Sequence, residues 1–177
     1  MVSIPEDPRS EAGISVRLAP EDVEAAASIG VTRQVRSLAR GRVPGYGIEQ
    51  DKCWQAHIEG AIGELVAAKA LDLPWVPKVD NFKSGGDVFG MEIRCRSRPE
   101  FELYIRPDEP GDRPYVLVRG AGLDYAVVGW YWGDKIKKHG RVEDFGRRNS
   151  PVYVVADGKL LSMTHEYLLR WIENHPE

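Results

Sequence analysis

The chain has 177 residues, 42% of them hydrophobic and 29% charged, and a net charge of −3. These values suit one globular domain that buries roughly 70% of its unfolded surface, and they exclude a uniformly basic protein that coats nucleic acid. The longest apolar runs, 61–71 and 125–132, are too short to span a bilayer. The opening stretch "MVSIPEDPRSEAG" lacks the basic-then-apolar pattern of a secretory leader. Cys53 and Cys95 do not have the spacing of a zinc ligand set, so a reducing cytoplasm is expected.

"ISVRL" (14–18) alternates and predicts a short strand. Pro20, Glu21 and Asp22 then open a helix, with proline early and acids in the first turn. It runs to Gly41, and Gly30 argues against an unbroken rod. "GRVPGYG" (41–47) is a loop. The clearest helix is "DKCWQAHIEGAIGELVAAKALDL" (51–73), where Trp54, Ile58, Ala61, Leu65 and Ala68 share one stripe at about 100° per residue. Pro74 and Pro77 forbid its continuation. His57, Gly60 and Glu64 lie along one edge of the buried face, which puts Glu64 at the border of core and solvent.

After residue 80 the pattern turns to strands. "DVFGMEIRCR" predicts a hairpin, "FELYIR" (101–106) a strand, and "RPDEPGDRP" (106–114) an acidic loop. "YVLVRG" and "YAVVGWYW" are β-branched and aromatic throughout and predict buried central strands, with Trp130 and Trp132 in the core. "PVYVVADGKLL" adds a strand and turn. "MTHEYLLRWIENH" closes the chain as a helix, Thr164 its N-cap and Tyr167, Leu168 and Trp171 its apolar side. Two helices, then strands, then a helix indicate an α+β sheet flanked by helices.

The hairpin carries the chemistry. A Phe89-Gly90 loop sets Asp87 opposite Glu92 on one face, with Cβ atoms about 5 Å apart. Glu92, Arg94 and Arg96 share that face, while Ile93 and Cys95 point to the core. Two carboxylates so placed repel by roughly 3 kcal/mol at an effective dielectric near 20. A proton, the adjacent arginines or a divalent cation would relieve this. A hard oxygen pair suits Mg²⁺ or Mn²⁺, and arginine neutralisation is the commoner outcome for such a pair. Arg106 and Arg113 bracket the acidic loop and are expected to pair with Asp108, Glu109 and Asp112. There is no GxSxG elbow, P-loop, GxGxxG or HExxH motif.

The order of Glu64 on a helix, Asp87 after a Gly-Gly, and Glu92-Ile93-Arg94 on the next strand resembles the PD-(D/E)XK nuclease superfamily. "HIEGAIGELVAAKALDLPW", "GGDVFGMEIRCRSR", "LYIRPDEPGDRPYVLV" and "YAVVGWYWG" together look like a small branch of it found among phage and prophage proteins. The likeness covers about residues 54 to 155. It implies a single restriction-endonuclease-like domain over 1–177, a mixed sheet flanked by helices, with 1–50 an N-terminal extension on a core of 51–177. It also implies a metal-dependent DNA nuclease with Glu64, Asp87, Glu92 and Arg94 as catalytic residues. Asp87, Glu92, the Ile93 carbonyl and Glu64 would be the ligands of Mg²⁺ (or Mn²⁺).

Arg94 stands where the family usually has lysine. Arginine can hold a phosphate bidentately but cannot give up its proton. Lys69 or Lys83 would then supply the missing amine, or the site relies on the metal alone, or cleavage is weak. Arg96, Arg98, Lys69, Lys135 and Lys137 are the expected nucleic-acid contacts. His57 sits two turns before Glu64 on the same edge and is within reach of the site, although such a histidine is more often structural. The alternatives are a non-cleaving nucleic-acid-binding protein on the same fold and a structural or assembly protein. The expected partner is DNA in the cytoplasm, a host's if the chain is phage-encoded. No membrane is expected, and the oligomeric state is open, a homodimer included.

Overall fold

The computed structural model describes residues 13–42, 52–79, 86–144 and 151–176. Lys83 and positions 43–47 of the predicted loop lie outside them. The elements follow in the order β1 (Ile14–Arg17), α1 (Pro20–Ala39), α2 (Cys53–Ala70), β2 (Glu92–Arg96), β3 (Leu103–Ile105), β4 (Pro114–Ala121), β5 (Asp124–Trp132), α3 (Gly133–His139), β6 (Arg141–Glu143), β7 (Val152–Val155) and α4 (Glu166–Asn174). A 3₁₀ turn at Asp157–Lys159 precedes α4. The central sheet has the order β1-β5-β4-β2, and β2 runs parallel to β4 while the other pairs are antiparallel. The protein is thus α+β, a mixed sheet flanked by helices, as the residue pattern indicated.

A parallel neighbour needs a crossover, and here the crossing chain forms β3 and leaves the central sheet. β3 joins β7 and β6 in a separate three-stranded antiparallel sheet. That sheet packs on one face of the central sheet around Leu103, Ile105, Tyr115, Leu117, Ile136, Val155 and Leu160. The opposite face carries α2, whose Ile62, Leu65, Val66 and Ala68 share a core with Ile93, Val116, Val118, Val127 and Trp130.

Small residues explain how closely the helices lie. A Cβ on Gly30 of α1 would sit 2.5 Å from the Ile58 Cα of α2. The glycine therefore marks a helix crossing, and α1 continues through it unbroken. With α1 on one side and the sheet on the other, α2 is buried all round from Ala61 to Ala68. Trp54 departs from the predicted stripe and is exposed, whereas its neighbour Cys53 is buried. Within the N-terminal extension, β1 is an edge of the central sheet and α1 covers α2. At the start of α4 the cap is His165 and not Thr164: the Nδ1 of His165 accepts the Tyr167 N–H at 3.3 Å, while the Thr164 hydroxyl pairs with Ser162.

Candidate active site

The loop Phe89-Gly90 turns as expected. Phe89 and Gly90 both have positive φ, 45° and 73°, the signature of the two-residue hairpin loop whose twist matches its strands. α4 holds this turn in place, since the Trp171 indole donates to the Phe89 carbonyl at 3.0 Å. Asp87 and Glu92, however, are not a directly opposed pair. The amides of Asp87 and Val88 both donate to the Met91 carbonyl, at 2.7 and 3.3 Å, so two residues face one and the ladder bulges. The bulge re-aims Asp87: its Oδ2 accepts the Ile93 N–H at 2.8 Å along the edge of β2.

Asp87 opens into a cleft of about 170 Å³ lined by Arg33, His57, Glu64, Lys78, Val79, Gly86 and Asp87. Glu64 and Asp87 therefore line the same cleft. Glu64 does not stand at a solvent border, though, because α1 packs over that edge and leaves its side chain 6% exposed. Arg33 grips it with two hydrogen bonds, Nη1 to Oε1 at 2.6 Å and Nη2 to Oε2 at 2.7 Å. The same guanidinium donates to the Lys78 carbonyl from Nε at 2.9 Å and Nη2 at 2.7 Å.

Burial pushes the Glu64 carboxyl up to about 7, with the Asp87 charge adding to the rise and Arg33 opposing it. Burial also raises Asp87, against the pull of the Ile93 N–H, Arg94, Arg33 and Lys78. Glu92 is raised by burial and then by Asp87. The Asp87 charge thus acts on both of the other acids, raising each. His57 is held below its ordinary value by burial and by the nearby Arg33.

Glu92 turns to the other face of β2, where it contacts Arg94 at 3.6 Å and Arg113 at 3.5 Å. Arg94 is no exposed phosphate hook. Its Nη2 donates to Glu109 at 2.7 Å, its Nη1 donates to the Ile93 carbonyl at 3.3 Å, and its guanidinium lies 5.0 Å from the Tyr115 ring centroid. The Ile93 carbonyl, an expected metal ligand, thus accepts a hydrogen bond from Arg94. Among the described residues no three Asp, Glu, His or Cys side chains gather closely enough to hold a metal ion. Glu64, the Asp87 bulge and Glu92 have instead settled on separate partners.

The expected nucleic-acid contacts are dispersed. Lys69 pairs with Asp22 of α1 at 2.9 Å and does not line the cleft. Lys137 lies on α3, which the strand pattern did not reveal, and its Nζ donates to the carbonyls of Pro107 and Glu109, bracing the acidic loop. Arg98 is exposed beside Glu100 at 3.9 Å. Arg96 lies 4.4 Å over the Tyr104 ring, and Lys135 forms no ion pair among the described residues. Arg106 and Arg113 pair with Glu109 and Asp112, as the loop's charges suggested.

Arg33 and Lys78 were not singled out by sequence reasoning. The available signal was a glutamate inside the small-residue stretch "AIGELVAA", which demands a buried cation. Gly30, one turn before Arg33, marked where another helix could bring one. The sequence matches no protein-family model, no curated protein and no solved structure.

Proposed function

We infer that the chain is a divalent-cation-dependent nuclease, acting on DNA through Asp87, Glu92 and Glu64. One observation carries this reading: Asp87 shares a cleft with Glu64 and its charge reaches Glu92 as well. Three acids linked in this way, Glu64 buried and Asp87 and Glu92 partly so, are costly unless a cation or a proton balances them. Asp87 and Glu92 are the acids that would take a small hard cation. Asp87 has an oxygen, Oδ1, with no hydrogen bond among the described residues, and Glu92 is held only by contacts of 3.5 and 3.6 Å. Glu64 joins them once Arg33 releases it.

Such a cation would polarise the scissile phosphate and the attacking water. The chain's own residues supply the rest. The Ile93 amide fixes the rotamer of Asp87. Arg94, pinned by Glu109, orients Glu92 and contributes fixed positive charge without serving as a base. Lys78 lines the cleft beside Asp87 and takes the phosphate-facing role that Lys69 does not fill.

The test is cleavage of supercoiled, linear, single-stranded and branched DNA in Mg²⁺ or Mn²⁺. Nicking by the parent should fall by about 10²-fold or more in Asp87→Asn and Glu92→Gln. The cation should also raise the parent's melting temperature and leave that of Asp87→Asn unchanged. Cleavage by both variants at the parental rate would refute the assignment.

A second reading, a nucleic-acid binder without turnover, is favoured by the guanidinium clamp on Glu64 and the buried Arg94. It predicts DNA binding that chelators leave unchanged, with no product in any cation.

A further inference from the structure

One side of α1 packs on α2, and another side presents apolar groups to solvent. Val31, Val35 and Leu38 are 40%, 50% and 42% exposed. The other large exposed hydrophobics, Trp54, Val76, Phe101, Val142 and Leu169, each stand alone on other segments. Isolated residues of that kind are ordinary surface, but a row of three on one helix is not. The row advances by steps of four and three, and the exposed Ser28 and Glu24 continue those steps toward the start of the helix. Alternating steps of four and three mark the seam along which two helices pair. Arg33 leaves the opposite side of α1, toward Glu64, so the seam is separate from the clamp.

Charge decides which way a second helix would lie. α1 begins acidic, with Glu21 and Glu24 exposed, and ends basic, with Arg36, Arg40 and, just past its last turn, Arg42 exposed. A copy of α1 laid antiparallel sets each acidic end beside the other's basic end, whereas a parallel copy sets like beside like. The spacing agrees with the antiparallel choice. In such a pair centred on residue 33, Val31 faces the partner's Val35 and Ser28 faces the partner's Leu38. Glu24 then falls at the end that carries the partner's Arg40 and the partner's Arg42. Two-fold symmetry makes each of these contacts twice.

We propose that this face of α1 is the contact of a homodimer, two copies of the chain paired through antiparallel α1 helices. The apolar row is short, three side chains from each copy, so the association belongs to the weak class, with a Kd on the order of 10 µM. Pairing encloses α1 between α2 and the partner's helix. It is independent of the chemistry in the cleft, so it stands or falls apart from the nuclease reading.

The experiment is sedimentation equilibrium of the full chain from about 1 to about 200 µM, a range that brackets the expected constant. The parent should pass from the mass of one chain to that of two. Val35→Glu should weaken association about 100-fold or more, because it sets two carboxylates per dimer against valines. Val35→Gln serves if Val35→Glu does not fold. Glu24→Arg should weaken association about fivefold, and adding Arg40→Glu and Arg42→Glu to it should restore the parental affinity. A parent that stays monomeric over the whole range overturns the proposal. So does a dimer that the folded Val35 variants leave unchanged, and a dimer that Glu24→Arg does not weaken overturns the antiparallel pairing.

Discussion

The two faces of β2 are both covered, but by different chemistry. On the α2 side, Ile93 and Cys95 meet the backbone of Gly63, where an added Cβ would lie 2.6 Å from the Cys95 Cβ. On the other side, Glu92, Arg94 and Arg96 are covered by Tyr104, Tyr115 and the acidic loop, with charges paired across distances of 2.7–3.6 Å and rings beneath the guanidinium groups. A strand's alternation decides which residues share a face. It does not decide whether that face meets water, because a separate element determines what lies over it. Here the second sheet covers a face that looks polar, and the charges remain because they satisfy one another.

Glu64 breaks the apolar side of this contrast, and it gives the largest expected effect. Its carboxyl rises from an ordinary value of 4.5 to about 7, chiefly through burial. A raised value means that the folded state holds its proton more tightly than the unfolded chain. The stabilisation from this group is therefore complete below about pH 4.5 and lost as pH climbs to about 7, a difference on the order of 3 kcal/mol. Asp87 and Glu92 are shifted in the same direction and add to the slope. Urea unfolding at pH 4.5 and 7.5 should show stability falling with pH in the parent and falling less in Glu64→Gln. Identical slopes in the two proteins would show that Glu64 titrates normally.

The apolar face is tested next by Gly63→Ala. The new methyl meets the Cβ of Cys95, which cannot swing aside, so β2 and α2 must separate by a few tenths of an ångström. Overpacking of this kind costs about 2 kcal/mol. The midpoint of denaturant unfolding should fall accordingly. If it does not, α2 and β2 are less closely apposed than the distances indicate.

The chain's own pattern made much of this legible. Proline and acids at 20–22 located the start of α1, and the β-branched and aromatic runs located β4 and β5. Phe89-Gly90 located the turn, and period two assigned the faces of β2 correctly. What escaped were consequences of packing. The bulge at Asp87 arises from two amides sharing one carbonyl, a geometry that no residue type dictates. Arg33 was visible only as one of several arginines on α1, because its distinction lies in the helix crossing at Gly30, which delivers it to Glu64. α3 was hidden because "GDKIKKH" is short and presents little apolar surface apart from the buried Ile136.

The smallest effect tests the charged face. Glu109→Gln removes the charge from the 2.7 Å partner of Arg94, while Glu92 remains at 3.6 Å and the Ile93 carbonyl at 3.3 Å. The cost should therefore sit at the low end for a charged hydrogen bond, about 1.5 kcal/mol. The informative comparison is with Arg94→Met combined with Glu109→Met. Removing one member of a buried pair leaves the other uncompensated, whereas replacing both with apolar groups of similar volume is often neutral or stabilising. A double variant at least as stable as the parent would mean that this face keeps its charges for something other than stability, as holding Glu92 toward a cation requires. A double variant less stable than either single one would make Arg94 and Glu109 part of the scaffold, and the contrast between the two faces of β2 would then be one of chemistry but not of purpose.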